Sequence, residues 1–150
     1  MINLRVKRTV RLPVEKSILL RAAQLTLDNG SNTSSSDVSI VIGDDTLLKQ
    51  LNRRYRNLRE TTDVLSFPSN ELDPDTQSVY LGDVVISLPQ ANEQATHGGH
   101  LLSDELQLLV VHGTLHLMGY DHLARADKKK MQSRNRKRPV LRDPPRRDVV

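Results

Sequence analysis

The chain has 150 residues, a formal net charge of +4 and no cysteine. That length suits one domain with a single core, and the lack of thiols excludes disulfide frameworks and thiolate metal sites alike. No apolar stretch approaches the ~20 residues that span a bilayer. The opening segment MINLRVKRTVRLP alternates apolar and basic residues instead of forming a signal peptide's apolar run, so a cytoplasmic protein is expected.

In chain order, Ile2, Leu4 and Val6, continuing to Val10, read as an edge-like strand. Pro13 then opens a helical segment with apolar residues at Ile18, Leu19, Ala22, Ala23 and Leu25, stopped by Gly30. Residues 31–36 are a polar loop. Val38–Ile42 is a β-branched strand, and Asp44 and Asp45 are placed to cap the helix that follows. That helix carries Leu47, Leu48, Leu51 and Tyr55 at helical spacing. Val64–Phe67 reads as a strand stopped by Pro68, with residues 69–78 as loop.

Val79–Leu88 is a further strand around Gly82 and Asp83, and Pro89 begins a helix reaching about Thr96. His97–Gly99 is a turn. Ser103 is the expected N-cap of the longest apolar helix, with Asp104 and Glu105 suited to its N-terminal dipole and Gly119 as its stop. There is no internal repeat. The order βαβαββαα predicts an α+β fold, a small mixed four-stranded sheet with helices packed on it.

The last helix and its exit carry the chemistry, as His112-x3-His116-x5-His122. Positions i and i+4 differ by about 40° around a helix, so two imidazoles leave one face a turn apart. Gly119 lets the chain turn and bring His122 towards the same point. Three neutral nitrogen ligands suit one zinc ion with a fourth position open, the arrangement of a catalytic site. The blander reading makes each histidine a hydrogen-bonded core residue, but three within eleven residues around a helix-ending glycine favour the metal. His97 and His100 lie in a Gly-rich turn and read as solvated. The spacing also matches the metzincin peptidases, whose catalytic base is a Glu directly after the first histidine. Gly113 stands there, which argues for similar metal geometry and against proteolysis.

The stretch from His112 to His122, HGTLHLMGYDH, resembles the H-G-x-L-H-L-x-G-Y-D-H motif of the YbeY family of endoribonucleases. Leu51-Asn52-x-x-Tyr55-Arg56, then Thr62-Asp63-Val64-Leu65-Ser66-Phe67-Pro68, and Leu81-Gly82-Asp83-Val84 agree in order and spacing. The resemblance spans roughly residues 38–126. It implies a single-strand-specific, metal-dependent endoribonuclease in ribosomal RNA maturation (the 16S rRNA 3′ end) and ribosome quality control. Its partners would be single-stranded ribosomal RNA and the small ribosomal subunit with associated factors. It also implies that His112, His116 and His122 bind zinc and that Arg56 engages RNA. The alternatives are a zinc hydrolase of another class and a ribosome-associated factor that binds RNA without cutting it.

The supporting residues carry two readings each. Arg56 is an RNA contact or a solvated helix-end cation among Arg53, Arg54 and Arg59. Asp63, Asp83 and Asp121 either orient histidines or cap loops, and none is assigned as general base. Ser66 packs a strand or makes a minor cleft contact. Tyr55 and Phe67 stack on bases or belong to the core.

Residues 127–150 depart from the pattern. They hold 10 of the 22 Lys and Arg but 3 of the 18 Asp and Glu, a net +7 that leaves residues 1–126 at −3. Pro139, Pro144 and Pro145 exclude a continuous helix. The expected organisation is an endoribonuclease domain over 1–126 and a disordered basic tail over 127–150. That tail reads as a frameshift product in preference to an RNA-binding arm.

Overall fold

Period-two burial in the strands and helical periodicity between them sort the chain into eight elements, described over residues 1–30, 36–56 and 62–120 of a computed structural model. They are β1 (Ile2–Val6), α1 (Lys16–Asp28), β2 (Ser36–Gly43), α2 (Asp45–Arg56), β3 (Val64–Leu72), β4 (Val79–Ser87), α3 (Leu88–Gly98) and α4 (Leu102–Leu117). Their order is the one expected from the sequence.

The strands form one mixed sheet ordered β1-β2-β4-β3. β1, β2 and β4 run parallel, while β3 returns antiparallel to β4. The connections explain this. A helical crossover joins parallel β1 and β2, whereas β3 and β4 are joined by a tight turn over residues 73–78, in which Asp73 N donates to Ser78 O at 2.8 Å.

The sheet buries its two faces unequally. One face meets α1, α3 and α4 in a continuous core that includes Leu19, Ile40, Ile86, Leu106 and Leu109, each fully buried. Every such Leu or Ile removed from water stabilises the fold by about 1.5–3 kcal/mol. The other face carries a small cluster of Leu48, Leu65 and Val85 under α2.

Helix starts follow two chemistries. Asp44 Oδ1 accepts from Leu47 N at 3.0 Å, the capping expected there. That bond is the main cause of an Asp44 carboxyl held below its ordinary pKa; its slight burial opposes the shift and the Thr9 hydroxyl assists it. Ser87 caps α3 by accepting from Gln90 N at 3.3 Å, and its hydroxyl donates to Asp45 Oδ1 at 2.7 Å, tying the starts of α2 and α3 together. Ser103 is not a cap: α4 begins at Leu102 behind an extended Leu101, with no side-chain bond.

Other boundaries move for identifiable reasons. β1 ends at Val6 because Lys7 N still bonds Ile42 O at 2.9 Å while Val10 N turns back onto Lys7 O at 3.2 Å. Glu15, extended, precedes α1, which starts at Lys16 and not at Pro13. α3 absorbs His97 and stops at Gly99, whose φ of 71° is left-handed. The largest difference is β3, which continues past Pro68 to Leu72. Pro68 is tolerated because β3 is an edge strand whose one partner among the described residues is β4, and its register shifts between Pro68 and Glu71.

Candidate metal centre on helix α4

α4 is seated on the sheet by two glycines. A Cβ on Gly113 would lie 2.5 Å from Val84 Cγ1, so the helix backbone rests directly on β4. On the strand side, Gly82 has φ of 139°, and a Cβ there would meet Phe67 O and lie 2.9 Å from Leu117 Cδ2. The Ser66 hydroxyl adds a tie from the edge strand, donating to Gly113 O at 3.2 Å. Ser66 therefore serves α4 and is more than strand packing.

This seating sets the two histidines. His112 is 4 % exposed and His116, one turn on, is half-buried in the last turn of α4. They share a face by helix geometry. The helix then closes through Gly119 (φ 88°), with Gly119 N bonding His116 O at 3.0 Å and Tyr120 N bonding Leu115 O at 3.1 Å. That is the left-handed closure expected of Gly119, and it turns the chain at the histidines. The negative end of the helix dipole also favours a cation at this place.

Two imidazoles on one face, at a helix C-terminus, fit a divalent metal of zinc type. His122 and Asp121 lie outside the described residues, as does the tail from 127 to 150. Among the described residues no group of three His, Asp or Glu is arranged to hold a metal. Arg56 closes α2, and its side chain likewise falls outside what is described.

The remaining expectations divide. Asp83 lies on the opposite sheet face from Val84, and so from α4, and accepts from the Tyr80 hydroxyl. Burial first, and that bond second, raise the Tyr80 phenol above its ordinary pKa, keeping it a donor. Asp63 is buried and accepts from Thr62 Oγ1 at 3.4 Å, so neither carboxylate is seen orienting a histidine. His100 is only partly solvated: its Nε2 lies 2.6 Å from Oε1 of Glu105, which is fully buried. That pair bridges the α3–α4 turn, and the only signal for it was an acid five residues after a histidine at a helix start. His97 is exposed, with Nδ1 2.9 Å from Glu93 O.

On the thin face, Tyr55 of α2 meets Phe67 of β3 edge-on, with centroids 5.4 Å apart at 67°. The Arg54 guanidinium sits 5.3 Å from the Tyr55 ring centroid.

A mixed four-stranded sheet with paired imidazoles at the end of a buried helix defines an α+β protein built around that helix. The same fold occurs in a solution structure from Thermotoga maritima, at a TM-score of 0.52 and 23% identity, covering 98% of this chain and 100% of that one. The sequence model of the family Endoribonuclease YbeY matches residues 4–139. The chain is 40% identical over 144 residues to an Endoribonuclease YbeY of Dehalococcoides mccartyi, covering 88% of this chain and 87% of the relative. It is 44% identical over 118 residues to one from Pelotomaculum thermopropionicum, covering 77% and 78%. The chain belongs to the YbeY family of endoribonucleases.

Proposed function

We propose that the chain is a zinc-dependent endoribonuclease that cuts single-stranded ribosomal RNA during maturation of the 16S 3′ end and in ribosome quality control, working in the cytoplasm with the small ribosomal subunit. The observation that carries the reading is the buried His112 beside His116 on one face of α4, in a chain of this family. His112 and His116 would hold the ion, with His122 as third ligand. Zinc bound there supplies Lewis-acid polarisation of a phosphodiester and activation of water.

The chain's own groups do the rest. The contact of Gly113 with Val84 and the Ser66 bond to Gly113 O hold α4, and with it both imidazoles, against the sheet. Arg56, at the end of α2, would meet the charge on a phosphate oxygen. A peptidase reading lacks support: Gly113 stands where the peptidase base would, and a Cβ there would lie 2.5 Å from Val84 Cγ1, so a side chain would have to push the helix off β4. Among the described residues no helix is long and apolar enough to cross a membrane.

The test is cleavage of a single-stranded ribosomal RNA fragment by metal-quantified protein. Chelated protein should be inactive and zinc should restore it, while His116→Ala should bind RNA without cutting and Arg56→Ala should cut far more slowly. Equal residual cleavage in all samples would point to a contaminating nuclease. Binding without zinc-dependent cleavage in the intact protein would leave a non-catalytic RNA-binding factor instead.

A further inference from the structure

Tyr55 has an arrangement that the metal chemistry does not use. The residue is 48% exposed and belongs to neither apolar cluster. Phe67, by contrast, packs against the Leu48, Leu65 and Val85 core. The chain has only 3 Tyr and 1 Phe, so placing two of the four edge to face at the surface is a concentrated use of aromatic area. The edge contact with Phe67 fixes the Tyr55 ring plane, and Arg54 brings a cation to the same ring. Arg53 and Arg54 are both exposed, and neither has an ion-pair partner among the described residues.

The position relates this ring to the histidines. Phe67 follows Ser66 in β3, and the Ser66 hydroxyl bonds the carbonyl of Gly113, the residue after His112. Among the described residues β3 is the edge of the sheet, and no further strand of them separates the two sides. A chain of nucleotides crossing that edge passes from the α4 face to the α2 face.

We propose that Tyr55, steadied by Phe67 and flanked by Arg54, is a stacking platform for one unpaired nucleobase of the RNA where it passes over the β3 edge. An exposed aromatic ring beside guanidinium groups matches the chemistry of single-stranded nucleic acid, whose bases offer π-faces and whose backbone is anionic. A base held inside a duplex stack cannot occupy the ring, so the platform selects for single strands. The proposal rests on the endoribonuclease reading for the identity of the ligand.

The experiment uses the full chain, chelated to prevent cutting, and a single-stranded RNA carrying the fluorescent base 2-aminopurine at successive positions. The wild type and Tyr55→Phe should quench one position on binding. Tyr55→Leu should lose that quench and bind about tenfold or more weakly, at an unchanged melting temperature. Replacing the probed base by an abasic linker should weaken the wild type to the level of Tyr55→Leu and leave that variant unaffected. Unchanged affinity and fluorescence in Tyr55→Leu, or an equal abasic loss in both proteins, overturns the platform. A zinc-restored wild type that stacks RNA but does not cut it removes the nuclease reading alone. One that cuts RNA with no Tyr55-dependent signal removes the platform alone, and one that binds no RNA removes both.

Discussion

The two faces of the sheet are built to different depths. The face under α1, α3 and α4 is continuous core, with Ile40, Ile86, Leu106 and Leu109 fully buried and the histidine helix pressed onto β4 through Gly113. Among the described residues, the face under α2 has a cluster of three buried hydrophobic residues and leaves Tyr55 nearly half exposed. The histidines proposed to hold a metal thus ride on the thick face, where close packing admits little movement. The groups proposed to meet RNA lie on the thin one.

Cavity-making substitutions should separate the faces most. Leu106→Ala in α4 is expected to destabilise by about 3–5 kcal/mol, and Leu48→Ala in α2 by about 2–3 kcal/mol, in urea unfolding. Equal losses would dissolve the distinction. Gly113→Ala comes next, at about 1–3 kcal/mol, because its Cβ would press on Val84. Adding Val84→Ala should recover part of that loss, a non-additivity that a double-mutant cycle would read directly.

Ser87→Ala should destabilise by about 1–2 kcal/mol, through the lost cap of α3 and the lost bond to Asp45. Asp44 gives the smallest effect, on the thin face. Its folded pKa is depressed, so its contribution is complete above the ordinary carboxylate pKa and fades as pH falls through the lower folded value. Melting temperatures of the wild type and Asp44→Asn should therefore converge on acidification, and a constant gap would remove the capping bond as the cause.

The sequence revealed the elements better than their ends or their arrangement. Period-two and helical patterns are local, so the order of strands and helices was legible, as was the Gly119 turn that closes α4. The strand order β1-β2-β4-β3 depends on crossovers that no local pattern encodes. Pro68 misled because its effect depends on whether a strand is central or at the edge. Ser103 misled because a capping residue one position inside the helix looks the same in sequence as one at its start. His112 and His116 were placed on one helix face by spacing alone, and the structure adds their burial and the tight seating of Gly113. His100 escaped because its partner, Glu105, looked like a dipole-matching surface acid and is fully buried.

The irregularity in β3 also bears on how copies of the chain behave in crowded solution. A nine-residue strand at the rim of a sheet is a ready template for adding a foreign strand and so for fibrous association. Pro68 removes one backbone donor from that rim, and Asn70, with φ of 59°, breaks its flatness two residues later. A ribbon interrupted at its middle offers an incoming strand only short stretches to zip against, so the feature that disguised β3 in the sequence also makes this rim a poor template for edge-to-edge pairing.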